Sequence, residues 1–222
     1  MPAVGTTASL SIERGLWAEG CRCVTGIDEA GRGAWAGPVA AAAVALPAGP
    51  EAELLTVLNG ARDSKTMTAA ERGRLAGVVK ATALAWGIGS ASAAEIDQIG
   101  ILPATRIAMR RALGVLMDSG ACPDVLLLDY IALPESPVEC RQISRAKMDA
   151  LSLSVACASI LAKDWRDGVM AELDERHPGY GFRSNKGYGG DGRSPHRRAL
   201  DTLGPSPQHR MTFRPVIQRR LL

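Results

Sequence analysis

At 222 residues with 46% hydrophobic content, the chain can bury one sizeable core without disulfide or metal staples, and no apolar run approaches the roughly 20 residues that span a bilayer. Its five scattered cysteines, an odd number, argue for reduced thiols rather than a disulfide framework. With no basic region, apolar core and cleavage site at the N-terminus, a cytoplasmic protein of one domain over residues 1–222 is expected.

In chain order, Val24 to Asp28 reads as a first strand and Val39 to Leu46 as a second. The alanines of the second allow close packing and make helix a rival, but the flanking Pro38 and Pro47 favour a short strand. Thr68-Ala69-Ala70-Glu71 and Ser92-Ala93-Ala94-Glu95 both fit the capping box, in which a hydroxyl and a carboxylate three residues later satisfy free N–H groups, so two helices should start there. Between them, Thr82 to Ser90 reads as a strand. Pro103 suits the first turn of another helix, expected to run to Gly120. Val125 to Leu128 has the continuous apolar character of a buried strand, and Asp129 follows where the chain emerges at the sheet's edge. A short strand is expected near Val138 to Ile143. A long helix should cover about Ala150 to Arg176, with His177-Pro178 stopping it; its small residues let it lie close to the sheet and present Asp149 near the strand ends. A last helix is framed by Ser194 as N-cap, Pro195 at its first position and Gly204 after its end. Helices and strands alternating without repeats or linkers imply an α/β fold around a single sheet.

The net charge of +3 is unevenly spread. Residues 183–222 hold nine Lys and Arg against two acids, a net +7, leaving 17 basic against 21 acidic in the rest. An acidic body with a basic C-terminal region fits an enzyme that collects metal cations in one place and holds nucleic-acid phosphates with another. Cys21 and Cys23 lack the partner pair that a zinc site needs.

The most informative segment is Ile27-Asp28-Glu29-Ala30-Gly31-Arg32-Gly33, followed by Gly37-Pro38-Val39. Adjacent side chains on a strand point to opposite faces, so Asp28 and Glu29 reach one site only if the strand ends there. Gly31 and Gly33 supply the break and allow close approach of the backbone to a ligand, while Arg32 adds a charged fork suited to phosphate oxygens. The arrangement points to metal-dependent chemistry on a phosphate backbone.

This string resembles the signature of the type 2 ribonucleases H, the ribonuclease HII family. The resemblance continues in order from near residue 10 to near residue 216. It runs through Asp63-Ser64-Lys65, Glu95-Ile96-Asp97, Ala104-Thr105 with Ala108-Met109, and Ala158-Ser159-Ile160-Leu161-Ala162-Lys163 with Arg166-Asp167. The later blocks are Tyr180-Gly181-Phe182, Lys186-Gly187-Tyr188, and Gly204-Pro205-Ser206-Pro207 with His209-Arg210. It implies a ribonuclease-H-like mixed central sheet flanked by helices, with a helical C-terminal region. The implied activity is hydrolysis of the RNA strand of RNA–DNA hybrids and nicking 5′ of single ribonucleotides embedded in duplex DNA, leaving 5′-phosphate and 3′-hydroxyl ends.

The resemblance makes Asp28, Glu29, Asp129 and Asp149 the catalytic, metal-holding carboxylates, with two Mg²⁺ or Mn²⁺ ions, which favour oxygen ligands. Gly31, Arg32, Gly33 and Tyr188 would read the junction between a ribonucleotide and the following deoxynucleotide, a task that needs detection of the 2′-hydroxyl. Ser64, Lys65 and Lys186 are candidates for phosphate contacts. Lys163, Arg166 and Asp167 fit a structural network on one helix face, and His196 and His209, without metal-ligand spacing, are read as structural or peripheral. The chain departs from the family pattern at Tyr130, where glycine is usual, at Met148, where a small residue is usual, and at Gly190, where threonine is frequent. The expected partners are RNA–DNA hybrid and ribonucleotide-containing duplex DNA, with no membrane, for a protein acting as a monomer; nothing in the sequence specifies a contact with a clamp protein. The rival readings are a DNA nuclease or strand-transfer enzyme using the same acidic logic, and a hybrid-binding protein that does not cut.

Overall fold

The computed structural model describes residues 8–49, 51–61, 64–191 and 194–220. Its strands are β1 (Val24–Ala30), β2 (Val39–Ala45), β3 (Ala85–Ala91), β4 (Val125–Asp129) and β5 (Arg141–Arg145). Around them lie α1 (Ser11–Ala18), α2 (Glu51–Val57), α3 (Ala69–Thr82), α4 (Ala93–Ile99), α5 (Ile101–Asp118), α6 (Leu153–Arg176), α7 (Phe182–Asn185), α8 (Pro195–Leu203) and α9 (Arg214–Arg220). The sheet order is β3-β2-β1-β4-β5. The first three strands pair antiparallel, and β4 and β5 are added in parallel. The result is a mixed sheet with helices on both faces and a helical C-terminal region, as the sequence implies. Among the described residues no helix is long and apolar enough to cross a membrane.

The alanine-rich β2 is completely buried. Its Ala42 and Val44 pack with the apolar residues of α6, α3 and α2, while Ala41, Ala43 and Ala45 pack with those of α5. A strand covered on both faces needs no polar alternation, and small side chains let both helices come close. Across from it, β3 carries Gly87 and Gly89 against the backbone of α5: a Cβ at Gly89 would lie 2.4 Å from the Ala108 carbonyl oxygen and 2.5 Å from the Ala112 nitrogen.

Both capping boxes are present. The Glu71 N–H donates to Thr68 Oγ1 and the Thr68 N–H donates back to Glu71 Oε2, and the same exchange joins Ser92 and Glu95. The third strand begins later than expected, at Ala85, because α3 continues through Thr82 and register with Ala45 sets the strand's start. The edge strand β5 is likewise displaced from Val138–Ile143 to Arg141–Arg145. The long helix begins at Leu153, capped by the Ser152 hydroxyl, which accepts from the Val155 N–H. Asp149 therefore does not cap it and instead sits in a 3-10 turn, Met148–Ala150. That helix is tied to α1 by Glu13, whose buried Oε1 accepts from both hydroxyls of Ser152 and Ser154 and from the Ser154 N–H.

The approach of β3 to α5 makes Gly89→Ala a sensitive probe. Overpacking of this kind costs on the order of 2 kcal/mol, so urea denaturation should show a loss of at least about that size; a variant as stable as the parent would contradict this packing.

Candidate active site

The carboxylates meet where β1 and β4 end. The two strands run parallel with Ile27 beside Leu128, so Asp28 and Asp129 follow next to each other. Asp28 shares the face of its antiparallel partner Ala42, towards α6, and Glu29 shares the opposite face with Ala41. The strand ends after Ala30, two residues later than expected, and Gly31 turns the chain at φ 91°. Both acids then line one cavity of about 430 Å³ together with Gly31, Arg32, Gly33, Ser64, Asp129, Lys163 and Tyr188.

Asp28 is the most enclosed acid of this cavity. Its Oδ1 accepts from the Glu29 N–H at 2.8 Å, and the Ser159 hydroxyl also bonds it. Burial first, and then the charges of Glu29 and Asp129, nevertheless hold its carboxyl well above the ordinary aspartate range. Ser159 stands 2.9 Å from the Ser64 hydroxyl, so Ser64 enters the site through a hydroxyl chain to Asp28 as well as by lining the cavity. Arg32 Nη1 donates to Glu29 Oε1 at 3.2 Å. Asp129 Oδ1 accepts from the Met148 N–H at 2.9 Å, which sets the turn carrying Asp149 against the end of β4.

Asp149 itself is buried and does not line the cavity. Among the described residues no three His, Cys, Asp or Glu side chains close on a common point. Among the described residues the oxygen donors at the cavity are nonetheless carboxylates and the hydroxyls of Ser64 and Tyr188, with no thiol or imidazole, and the set suits a hard divalent cation such as Mg²⁺ or Mn²⁺.

Two arginines hold the loops that frame the cavity. Arg166 of α6 is fully buried; it donates to the carbonyls of Pro38, Ala36 and Lys186 at 2.8, 3.1 and 2.9 Å. Arg210, also fully buried, donates to those of Gly37, Arg32 and Gly31 at 3.1, 2.8 and 2.7 Å. Burial, and then the charge of Arg166, push the Arg210 guanidinium down to about 9, so it stays charged at neutral pH. A Cβ at Gly31 would fall 2.0 Å from Arg166 Nε, which explains the glycine sterically as well as by its φ. The Gly187 carbonyl accepts from the N–H groups of Trp35 and Ala36, joining the Lys-Gly-Tyr segment to the Gly-Arg-Gly loop. Tyr188, 38% exposed, stands with its ring centroid 5.4 Å from the Arg166 guanidinium.

The remaining candidates separate. Lys186 takes a left-handed backbone conformation and lends its carbonyl to Arg166, while its side chain is not part of the cavity wall. The side chain of Lys65, and Asp63 with it, lies outside the described residues. The expected helix-face network exists for Lys163 and Asp167, which pair with each other, and Asp167 Oδ2 also accepts from Arg72 Nη2 at 2.6 Å. Arg166 does not join it, and Lys163 additionally lines the cavity. Burial lowers the Lys163 ammonium below its ordinary value, with Asp167 opposing. Of the basic C-terminal residues, Arg210 is turned inward, Arg183 pairs with Glu175, and Arg197 stacks on Trp35. The roles of Arg166, Arg210 and Ser159 were missed in the sequence; the only signal for them was their membership in the family-like blocks, since carbonyl contacts leave no spacing pattern. At the departures, Tyr130 has φ 63° and Gly190 φ 58°; the left-handed backbone that glycine favours is kept at residue 130 with a tyrosine in it.

The ribonuclease HII family profile matches residues 25–216. The chain belongs to the ribonuclease HII family. It is 50% identical over 208 residues to the ribonuclease HII of Synechococcus sp. (strain JA-3-3Ab), covering 94% of this chain and 89% of that one. It is 46% identical over 210 residues to a ribonuclease HII of Thermus thermophilus, with 95% of each covered. The solved ribonuclease H2 of Pyrococcus horikoshii OT3 has the same fold, with a TM-score of 0.73 at 23% identity over 90% of this chain and 97% of that one. The protein is thus a type 2 ribonuclease H, a metal-dependent endonuclease with activity on RNA–DNA hybrids.

The raised Asp28 carboxyl ties this site to stability. A group whose folded pKa exceeds its unfolded value, here 3.8, contributes stability below the unfolded value and loses it as pH rises through the folded one. Asp28→Asn, neutral throughout and still able to accept from the Glu29 N–H, escapes that loss. Calorimetry in EDTA should find its melting temperature above that of the wild type by more at pH 8 than at pH 5; the same difference at both would contradict the assignment.

Proposed function

We propose that this member of the ribonuclease HII family nicks duplex DNA on the 5′ side of single embedded ribonucleotides, besides cutting the RNA strand of longer hybrids, and leaves 5′-phosphate and 3′-hydroxyl ends. The observation that carries this reading is that one cavity is walled by three carboxylates, by the Gly-Arg-Gly loop and by Tyr188. Asp28, Glu29 and Asp129, joined by Asp149 from the adjoining turn, would hold two Mg²⁺ or Mn²⁺ ions. When bound, such ions supply an activated water and charge stabilisation at the scissile phosphate.

The protein's own groups do the rest. The carbonyls of Gly31 and Arg32 are taken by Arg210, so this loop meets an anionic, hydroxyl-bearing backbone with its N–H groups. Arg32, only half-buried beside Glu29, is placed to exchange that carboxylate for a phosphate as cations fill the site, and Lys163 adds a positive charge at the same wall. Tyr188 offers a hydroxyl and a flat face to the sugar, backed by the Arg166 guanidinium. Ser64 keeps Asp28 in place through Ser159. The basic stretch from residue 183 onward gives the duplex a long-range electrostatic pull, and the protein acts as a monomer in the cytoplasm.

Substrate comparison of two variants tests this. Asp28→Asn should lose more than the roughly 10–100-fold typical of removing a mere supporting group at a metal site, on both hybrid and single-ribonucleotide duplexes. Tyr188→Ala should lose roughly 10-fold in kcat/KM on the single ribonucleotide, the worth of one good polar contact, and clearly less on a long hybrid. Retained cutting by the first variant overturns the carboxylate assignment, and equal losses by the second overturn the junction role of Tyr188.

A further inference from the structure

His196 of α8 and His209 of the C-terminal loop are buried, 0% and 1% exposed, with their Nε2 atoms 3.0 Å apart. Two ring nitrogens can bond only when one carries a proton and the other does not. The outer nitrogens decide which. The backbone N–H of Ser206, which can only donate, points at His209 Nδ1 from 2.9 Å, so Nδ1 accepts and the neutral ring carries its proton on Nε2. That proton is donated to His196 Nε2. His196 must then hold its own proton on Nδ1, which stands 3.0 Å from the carbonyl oxygen of Tyr188, a group that can only accept. One direction of donation therefore runs from Ser206 through both imidazoles to Tyr188, set at each end by a main-chain group.

The surroundings favour neutral rings. Trp35, Tyr180 and Phe182 pack around the two imidazoles. Among the described residues the facing ionisable groups add no acid to stabilise a second proton: His177 opposes it at His209, Arg210 is bound to carbonyls, Arg197 lies over Trp35, and the Tyr180 hydroxyl donates to the Gly204 carbonyl. Burial lowers both histidines, His209 to about 4. The N–H of Tyr188 is held separately by the Asn185 carbonyl at 2.9 Å, and His196 supplies a second main-chain anchor for this residue.

We propose that His196 and His209 form a proton-ordered relay whose task is to position Tyr188 over the cavity. Both are positioning residues, and the inference rests on the reading of Tyr188 as a contact of the ribonucleotide. What sets this pair apart from one that merely fills the core is its end point, the main-chain carbonyl of the residue proposed to meet substrate.

The chain has three histidines, so long-range ¹⁵N–¹H correlation spectra of the full-length protein at pH 7 can be assigned with single variants. The expected result is His196 protonated on Nδ1 and His209 on Nε2; the reverse pair, two identical tautomers or a charged ring overturns the relay. A cleavage assay then asks what the relay does. In His196→Asn the side-chain amide can replace the Nδ1 donor, and in His196→Gln it can replace only the Nε2 atom. On a single-ribonucleotide duplex His196→Asn should stay within ~3-fold of the wild type in kcat/KM, and His196→Gln should fall about 10-fold, the worth of one hydrogen bond. That fall should vanish in a Tyr188→Ala background. If it persists there, or if both variants fall equally on every substrate, the pair is structural and the proposal fails. Should Tyr188→Ala alone leave cleavage unchanged, the reading of Tyr188 fails while the tautomer result still judges the relay.

Discussion

Two buried guanidinium groups whose hydrogen bonds go to main-chain carbonyls organise this molecule. Arg166 and Arg210 together bind the carbonyls of residues 31, 32, 36, 37, 38 and 186. A buried charge without a counter-ion is costly. Here the rigid fork of each arginine spreads that charge over three main-chain carbonyl oxygens, something an ammonium group cannot match. Because one arginine comes from the long helix and the other from the C-terminal loop, the contact draws three distant parts of the chain onto the end of β1.

The acidic cavity is arranged in the opposite sense. Asp28 is enclosed and surrounded by like charge, so the site is held at the expense of stability, with the hydroxyl chain through Ser159 and Ser64 and the Glu29 N–H as partial offsets. Under the proposed reading that strain would favour metal uptake, since carboxylates that repel one another without cations are neutralised when cations arrive. The cationic frame and the anionic cavity share the short loop from Gly31 to Pro38, and that loop is where the charge of a nucleic-acid backbone would be met. The two histidines extend the frame outward to Tyr188.

How much of this could be read from residues alone depended on range. The capping boxes at Thr68 and Ser92, the framing of α8 by Ser194, Pro195 and Gly204, and the apolar run before Asp129 are local devices, and each element stands where its own residues place it. From Thr82 to Ala85 the local pattern points the wrong way, because the boundary between α3 and β3 is set by pairing with Ala45 rather than by propensity. The edge strand β5 carries alternation too weak to fix its start. The short helices α1, α2, α7 and α9 carry no such local signal: α1 is anchored chiefly by Glu13 reaching Ser152 and Ser154, a contact about 140 residues away in the chain. The carboxylates of Asp28 and Glu29 were visible as a pair, but their meeting with Asp129 is a matter of register between β1 and β4. Likewise the 3-10 turn that carries Asp149 and its separation from the cavity wall depend on the contact between the Asp129 carboxylate and the Met148 N–H, which no local pattern announces. Arg166, Arg210 and the histidine pair act through carbonyls and each other across long stretches of chain, and no spacing rule announces that.

The most direct measurement is to map the products from an end-labelled DNA duplex holding one ribonucleotide, incubated with the purified protein and Mg²⁺, Mn²⁺ or EDTA beside an all-DNA duplex. This account predicts a single cut on the 5′ side of the ribonucleotide, dependent on metal and absent from the all-DNA duplex. Cutting of the all-DNA duplex, or an intact ribonucleotide duplex in the presence of either metal, would contradict it.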